Sequence, residues 1–182
     1  MRAASGVHVA GTVTSGSNKA VIDESISGGN ASGTFRADGI TAAFVVADGK
    51  VYLQVNPDYL KLAGLPAANC ATVCGKYVQV PASQFASFTV SASMAHWTSA
   101  IASSIPSAAG DTSDLFKPAT FEGHPVLQLI QATQTVDVAR TGPPYPVLIS
   151  SPTYGSVTFS EWNSVPPVTP PPPSQIITRS SL

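Results

Sequence analysis

The side chains of this sequence that could do chemistry are few and scattered. Serine is abundant and there are three histidines, His8, His96 and His124, so a Ser–His–acid hydrolase is the first chemistry to weigh. That chemistry needs a nucleophile, a base within hydrogen-bond reach and an acid that orients the base. No Gly-x-Ser-x-Gly elbow occurs, and that motif is what exposes a serine on a strained strand-to-helix turn. His8 and His124 fall on or beside strand patterns and His96 on a helical one, where a surface or half-buried polar role is the commoner one. The acids Asp23, Glu24, Asp38, Asp48, Asp58, Asp111, Asp114, Glu122, Asp137 and Glu161 are spread along the chain, and several are plain turn residues. No phosphate loop, dinucleotide fingerprint or calcium loop is present. These residues point to a protein that is not an enzyme and needs no cofactor or catalytic metal.

Cys70 and Cys74 stand in the run Cys-Ala-Thr-Val-Cys. Four residues apart on a helical turn or loop, their Cβ atoms can come within disulfide range. A zinc site wants four ligands, and the histidines are distant in sequence. A redox pair would read Cys-x-x-Cys beside a βαβ unit. A disulfide fits an exported protein; two ordinary reduced thiols are the alternative.

The composition supports export. Charged residues make up 10% and hydrophobic residues 43% of 182 residues, against roughly 25% charged in ordinary soluble domains. Ser, Thr, Gly, Ala and Pro fill the difference. A net charge of −1 offers no electrostatic footprint for a phosphate backbone, so nucleic acid is not an expected partner. No apolar run approaches the ~20 residues of a membrane-spanning helix. Met1-Arg2-Ala3-Ala4 lacks the apolar stretch of a signal peptide and abuts the first strand pattern, so a leader removed upstream is expected.

The elements that must position these groups are mostly strands. Val7, Val9 and Val13 alternate with polar or small residues, as do Ala20, Ile22 and Ile26, the period of a strand with one buried face. Strands are expected over 7–14, 19–27, 32–38, 40–47 and 50–55, joined by Gly28-Gly29-Asn30, Asp38-Gly39 and Asp48-Gly49, which are hairpin turn signals. Neighbours in such a meander pair with one another. A short helix over 58–63 and a brief strand over 76–80 follow. Further strands are expected over 126–132, 135–139, 145–150 and 155–159.

One strong helical stretch, 83–101, interrupts the sheet. Val90, Met94, Trp97 and Ile101 recur at helical spacing and line one face, with Phe85 and Phe88 preceding them and Ser83 placed to cap. Thr89, Ser91 and Ser93 favour a break into two helices. Residues 103–114 form a Ser/Ala/Gly-rich loop. From Val165 the chain is proline-rich, so residues 1–165 are expected to form one domain and 166–182 a polyproline-like tail. Ile176-Ile177 favours docking of that tail, and its last residues should fray.

The run Gly6-Val7-His8-Val9-Ala10-Gly11-Thr12-Val13 resembles the opening strand of the mycobacterial lipoprotein family containing LppX and LprG. The resemblance continues through Val51-Tyr52-Leu53-Gln54-Val55, Cys74-Gly75-Lys76-Tyr77-Val78, residues 139–149 (Ala-Arg-Thr-Gly-Pro-Pro-Tyr-Pro-Val-Leu-Ile) and Val157-Thr158-Phe159-Ser160-Glu161-Trp162-Asn163. It covers about residues 6–178. It implies an α+β, LolA/LolB-like fold: a strongly curved antiparallel half-barrel with helices packed on the concave face. It also implies an extracytoplasmic lipoprotein, anchored to the membrane by an N-terminal lipid. Such a protein would bind lipids or acylated glycolipids and carry them across the envelope, with a membrane transport component as a further partner.

On this reading the lipid-facing residues are Phe35, Phe44, Val46 and Leu53 from the sheet and Phe85, Phe88, Met94, Trp97 and Ile101 above it. Leu60 and the loop 103–114 would form the entrance. Met and aromatic side chains adapt to irregular apolar ligands. The alternative is an envelope protein whose interior is filled by its own side chains and which acts through a protein partner.

Overall fold

The computed structural model, described over residues 4–15, 18–85, 93–104, 116–131, 133–153 and 155–178, is organised by one sheet of 12 strands. In chain order these are β1 (Gly6–Ser15), β2 (Asn18–Ser27), β3 (Asn30–Ala37), β4 (Ile40–Ala47), β5 (Lys50–Gln54) and β6 (Tyr77–Val80), then β7 (Phe116–Phe121), β8 (His124–Gln131), β9 (Gln134–Ala139), β10 (Pro146–Ser151), β11 (Gly155–Ser160) and β12 (Ile176–Ile177). The helices are α1 (Pro57–Leu62), α2 (Cys70–Val73) and α3 (Met94–Ser104).

The spatial order is β12-β6-β5-β4-β3-β2-β1-β11-β10-β9-β8-β7. Two meanders, β1–β6 and β7–β11, join where β1 pairs antiparallel with β11. Three hairpins carry the turn chemistry that makes neighbours pair. Asp38-Gly39, Asp48-Gly49 and Glu122-Gly123 all have positive φ at both residues, the left-handed pair that matches strand twist in two-residue loops. The sheet is open, with β12 and β7 at its edges.

Cross-strand register sorts the side chains onto two faces. On the inner face Leu129, Val136, Ile149, Val157, Gly11, Ile22, Phe35 and Ala42 form one row from β8 to β4. A second row runs Phe159, Val9, Glu24, Gly33, Phe44, Leu53 and Val78. Val9, Ile22, Phe44, Leu53, Val157 and Phe159 belong to the main buried cluster together with Trp97 of α3, and Met94 of α3 and Tyr59 of α1 pack against it. Gly33 and Gly11 mark places where strands crowd together on this face. A Cβ on Gly33 would lie 2.6 Å from the Glu24 Cα and overlap the Asp23 carbonyl oxygen, and one on Gly11 would lie 2.7 Å from the Val157 Cα. Only glycine permits such backbone approach.

The other face is covered on one side by the proline-rich segment. Val45, Ala47 and Tyr52 are buried there with Tyr77, Val168 and Ile176 packed on them. The Asn30 side-chain amide donates to the Val168 carbonyl at 2.8 Å, and β12 pairs parallel with β6 at Ile176 and Ile177. Ending the chain at Val165 should therefore cost roughly 2–4 kcal/mol, the burial of about two aliphatic side chains. Urea unfolding of the shortened chain checks this, together with new binding of an apolar dye to the uncovered Val45 and Tyr52.

One strand differs from the sequence-based expectation. β7 was not anticipated, because Pro118 interrupts its pattern; a proline is tolerated there because β7 is an edge strand. Within the stretch expected to break into two helices, the described residues form a 3-10 turn, Ala82–Phe85, and α3. α3 starts after Ser93, whose hydroxyl accepts from the His96 N–H at 3.1 Å, so Ser93 acts as its N-cap.

A candidate apolar pocket and the buried Glu24

One end of the inner face is a pocket of about 460 Å³. Its sheet wall is Val13, Ala20, Phe35, Ala37, Ile40, Ala42 and Leu53, and α1 contributes Tyr59 and Leu62. Thr14, Asn18, Lys19, Asp38 and Thr41 complete the lining, most of them near the hairpin ends. The pocket exists because alanine occupies inner-face positions on three neighbouring strands; larger side chains there would fill it.

Local sequence explains why α1 covers this end. The β4–β5 pairing stops at Phe44 opposite Leu53, so the start of β4 runs on without that neighbour. Asn56 and Asp58 take its place. The Asn56 side chain donates to the Thr41 carbonyl at 2.8 Å, and the Thr41 N–H donates to Asp58 Oδ2 at 2.9 Å. Asn56 also caps α1, its Oδ1 accepting from the Tyr59 N–H at 2.7 Å, and Pro57 starts the helix where its missing N–H costs nothing. Replacing Asn56 with Ala should cost about 1–2 kcal/mol through cap and clamp together. Thermal unfolding of the variant would check it.

The residues expected to face lipid occupy several environments. Phe35 and Leu53 line the pocket. Phe44 and Val46 lie in the main buried cluster with Trp97, and Met94 packs partly buried against it. Leu60 is fully buried with Val55, Val73 and Val78, whereas its helix neighbour Leu62 reaches the pocket and is 69% exposed. Phe85 and Ile101 belong to described backbone whose side chains are not described, and Phe88 lies outside the described residues, as does the loop 103–114 beyond Ser104. Cys70 and Cys74 are joined in a disulfide, with Cα atoms 4.6 Å apart, and pack against the Leu60 cluster.

Sequence reasoning missed two things here. The alanine pattern Ala20, Ala37, Ala42 was legible as small residues in phase with buried ones, which is what leaves space on a sheet face. Glu24 was also in phase, since it shares the period of Ala20, Ile22 and Ile26. It is 2% exposed, and the Trp97 indole N–H donates to its Oε1 at 3.2 Å. Burial pushes its carboxyl up to about 7, and the Trp97 hydrogen bond offsets this only partly. Trp97 meets Phe159 edge to face at 5.5 Å, Phe159 stacks on Trp162 at 6.0 Å, and Trp162 stacks on Tyr145 at 4.7 Å.

On the opposite face the fold brings together residue types of a hydrolase. His8 Nδ1 lies 3.2 Å from Ser160 Oγ and His8 Nε2 lies 3.1 Å from Asp23 Oδ1. Ser160 is a strand residue directly opposite His8 in the β1–β11 register, not a nucleophile on a strained turn. The pocket opens on the other face. This is a surface hydrogen-bonded row. Among the described residues no cluster of three His, Cys, Asp or Glu could hold a metal ion, and no helix is long and apolar enough to cross a membrane.

No family model matches the chain, and no curated protein does. Among solved structures the chain is similar to the crystal structure of the Mycobacterium tuberculosis lipoprotein LppX, at 13% identity and a TM-score of 0.49, over 92% of this chain and 91% of that one.

Proposed function

We infer that this is a lipid-binding protein of the cell envelope, holding a single acyl chain in the pocket between the inner sheet face and α1. The observation that carries the reading is the pocket: apolar walls from the sheet and α1, with most polar groups near one end. Its volume of about 460 Å³ lies within the roughly 300–1,000 Å³ of small-ligand sites. Each methylene buried there contributes about 0.8 kcal/mol before ordering costs, so one long chain gives useful affinity without specific polar contacts. The low charge, the disulfide and the family resemblance agree with an extracytoplasmic, lipid-anchored carrier.

Native mass spectrometry with organic extraction tests this. The chain should carry lipid, and Ala42→Phe should lower its occupancy at least tenfold while leaving thermal unfolding within a few degrees. A protein that takes up no single-chain lipid, or whose uptake ignores Ala42→Phe, would sink the reading. A self-filled interior acting through a protein partner is the second reading. It is favoured by the middle of the inner face, where Phe44, Val46, Trp97 and Phe159 close over one another. It predicts an empty pocket even after incubation with lipid vesicles.

A further inference from the structure

Glu24 is a carboxyl placed in an apolar interior with, among the described residues, one hydrogen bond from its surroundings. Its register neighbours are Val9 on β1 and Gly33 on β3, and Phe159 lies next along that row. None of these offers a charge or a donor side chain. From above, Trp97 supplies the single indole N–H. His96, edge-on to Trp97 at 5.2 Å, is the titratable group that accompanies it on α3. His8 and Asp23 pair on the opposite face. Among the α3 side chains described, Met94 to Ser99, Trp97 is the buried one and Met94 packs partly buried beside it. Among these described side chains the buried contact of α3 with the sheet is thus made by Trp97, and it sits on the carboxyl.

We propose that α3 is a proton-controlled cover on the inner face, seated when the Glu24 carboxyl is neutral and released when it is ionised. A neutral carboxyl under a ring needs little more than the hydrogen bond it has. A carboxylate in the same place is a buried charge facing one neutral donor, which does not repay its lost hydration. Water reaches the charge most directly if Trp97 withdraws. The direction of the Glu24 shift, upward through burial, agrees with this. Withdrawal would bare Val9 and Phe159 beside Ile22, whose register partner Phe35 lines the pocket, so cover and pocket share a wall. The proposal does not depend on the identity of any ligand.

Hydrogen exchange of α3 amides, corrected for intrinsic rates, tests it on the full chain. Between pH 5.5 and 8 the opening equilibrium should rise about 30-fold, the linkage expected for a carboxyl that ionises near 7 when covered and near 4.5 when open. Glu24→Gln should make it pH-independent, and His96→Gln should leave the response intact. A response that survives Glu24→Gln, or that vanishes in His96→Gln, overturns the proposal. If Glu24→Gln does not fold, the wild-type chain decides. The Glu24 carboxyl resonance and α3 exchange must share one midpoint, and separated midpoints overturn it.

Discussion

Raising the pH from 5 to 8 should weaken the folded state by roughly 2–3 kcal/mol through Glu24 alone. The carboxyl ionises at about 7 in the fold and near 4.5 when exposed. Between those values the folded chain holds a proton that the unfolded chain has released. Stability contributed by Glu24 is thus greatest below about 4.5, falls as pH rises through the window, and is level above about 7. This is opposite to a carboxylate held in an ion pair, whose stabilisation grows with pH. Urea midpoints of the wild type and Glu24→Gln at several pH values isolate the effect, because all other titrating groups are common to both. The two curves should diverge between pH 5 and 8, and parallel curves would show that Glu24 titrates alike in both states.

A single methyl group at Gly33 should be as damaging as the loss of a core side chain. Gly33→Ala places a Cβ 2.6 Å from the Glu24 Cα and 2.8 Å from its Cβ, and overlaps the Asp23 carbonyl oxygen. These contacts are mostly backbone, so no side-chain rotation relieves them. β2 and β3 must separate at the centre of the sheet, at a cost of about 3 kcal/mol. Gly29→Ala is the control: nothing lies within 4 Å of its Cβ position, and it lacks a positive φ. It should change stability by less than about 1 kcal/mol. Denaturant unfolding of both variants checks the contrast, and equal effects would mean that the Gly33 crowding is absorbed by small shifts.

Much of the architecture was legible in the sequence, for identifiable reasons. The β1–β5 meander is written in its period-2 alternation and in Asp38-Gly39 and Asp48-Gly49, whose turns leave no alternative to neighbour pairing. β7 was hidden because Pro118 is a strand breaker everywhere except at an edge, and being an edge is a property of the assembled sheet. The start of α3 after Ser93 was legible, because Thr89, Ser91 and Ser93 favour a break there.

The candidate site divides along the same line. Phe35 and Leu53 were readable as buried-face residues, but so were Phe44 and Val46; only the assembled sheet puts the first two beside empty space and the others within packed core. The pocket arises from three alanines on adjacent strands and from Asn56 and Asp58 tying α1 to Thr41, a contact across 15 and 17 residues.

The sequence by itself determined a mostly β, weakly charged protein with a disulfide-compatible cysteine pair and no catalytic motif. Alternation, turn chemistry and composition are local properties, and local physics reads them. The tertiary structure alone decided where the inner face is filled and where it is hollow. It also decided that Glu24, one scattered acid among ten in the sequence, lies beneath Trp97 of a helix 73 residues away. Burial depends on which surfaces meet, and a carboxyl shows its unusual proton affinity only once water has been removed around it.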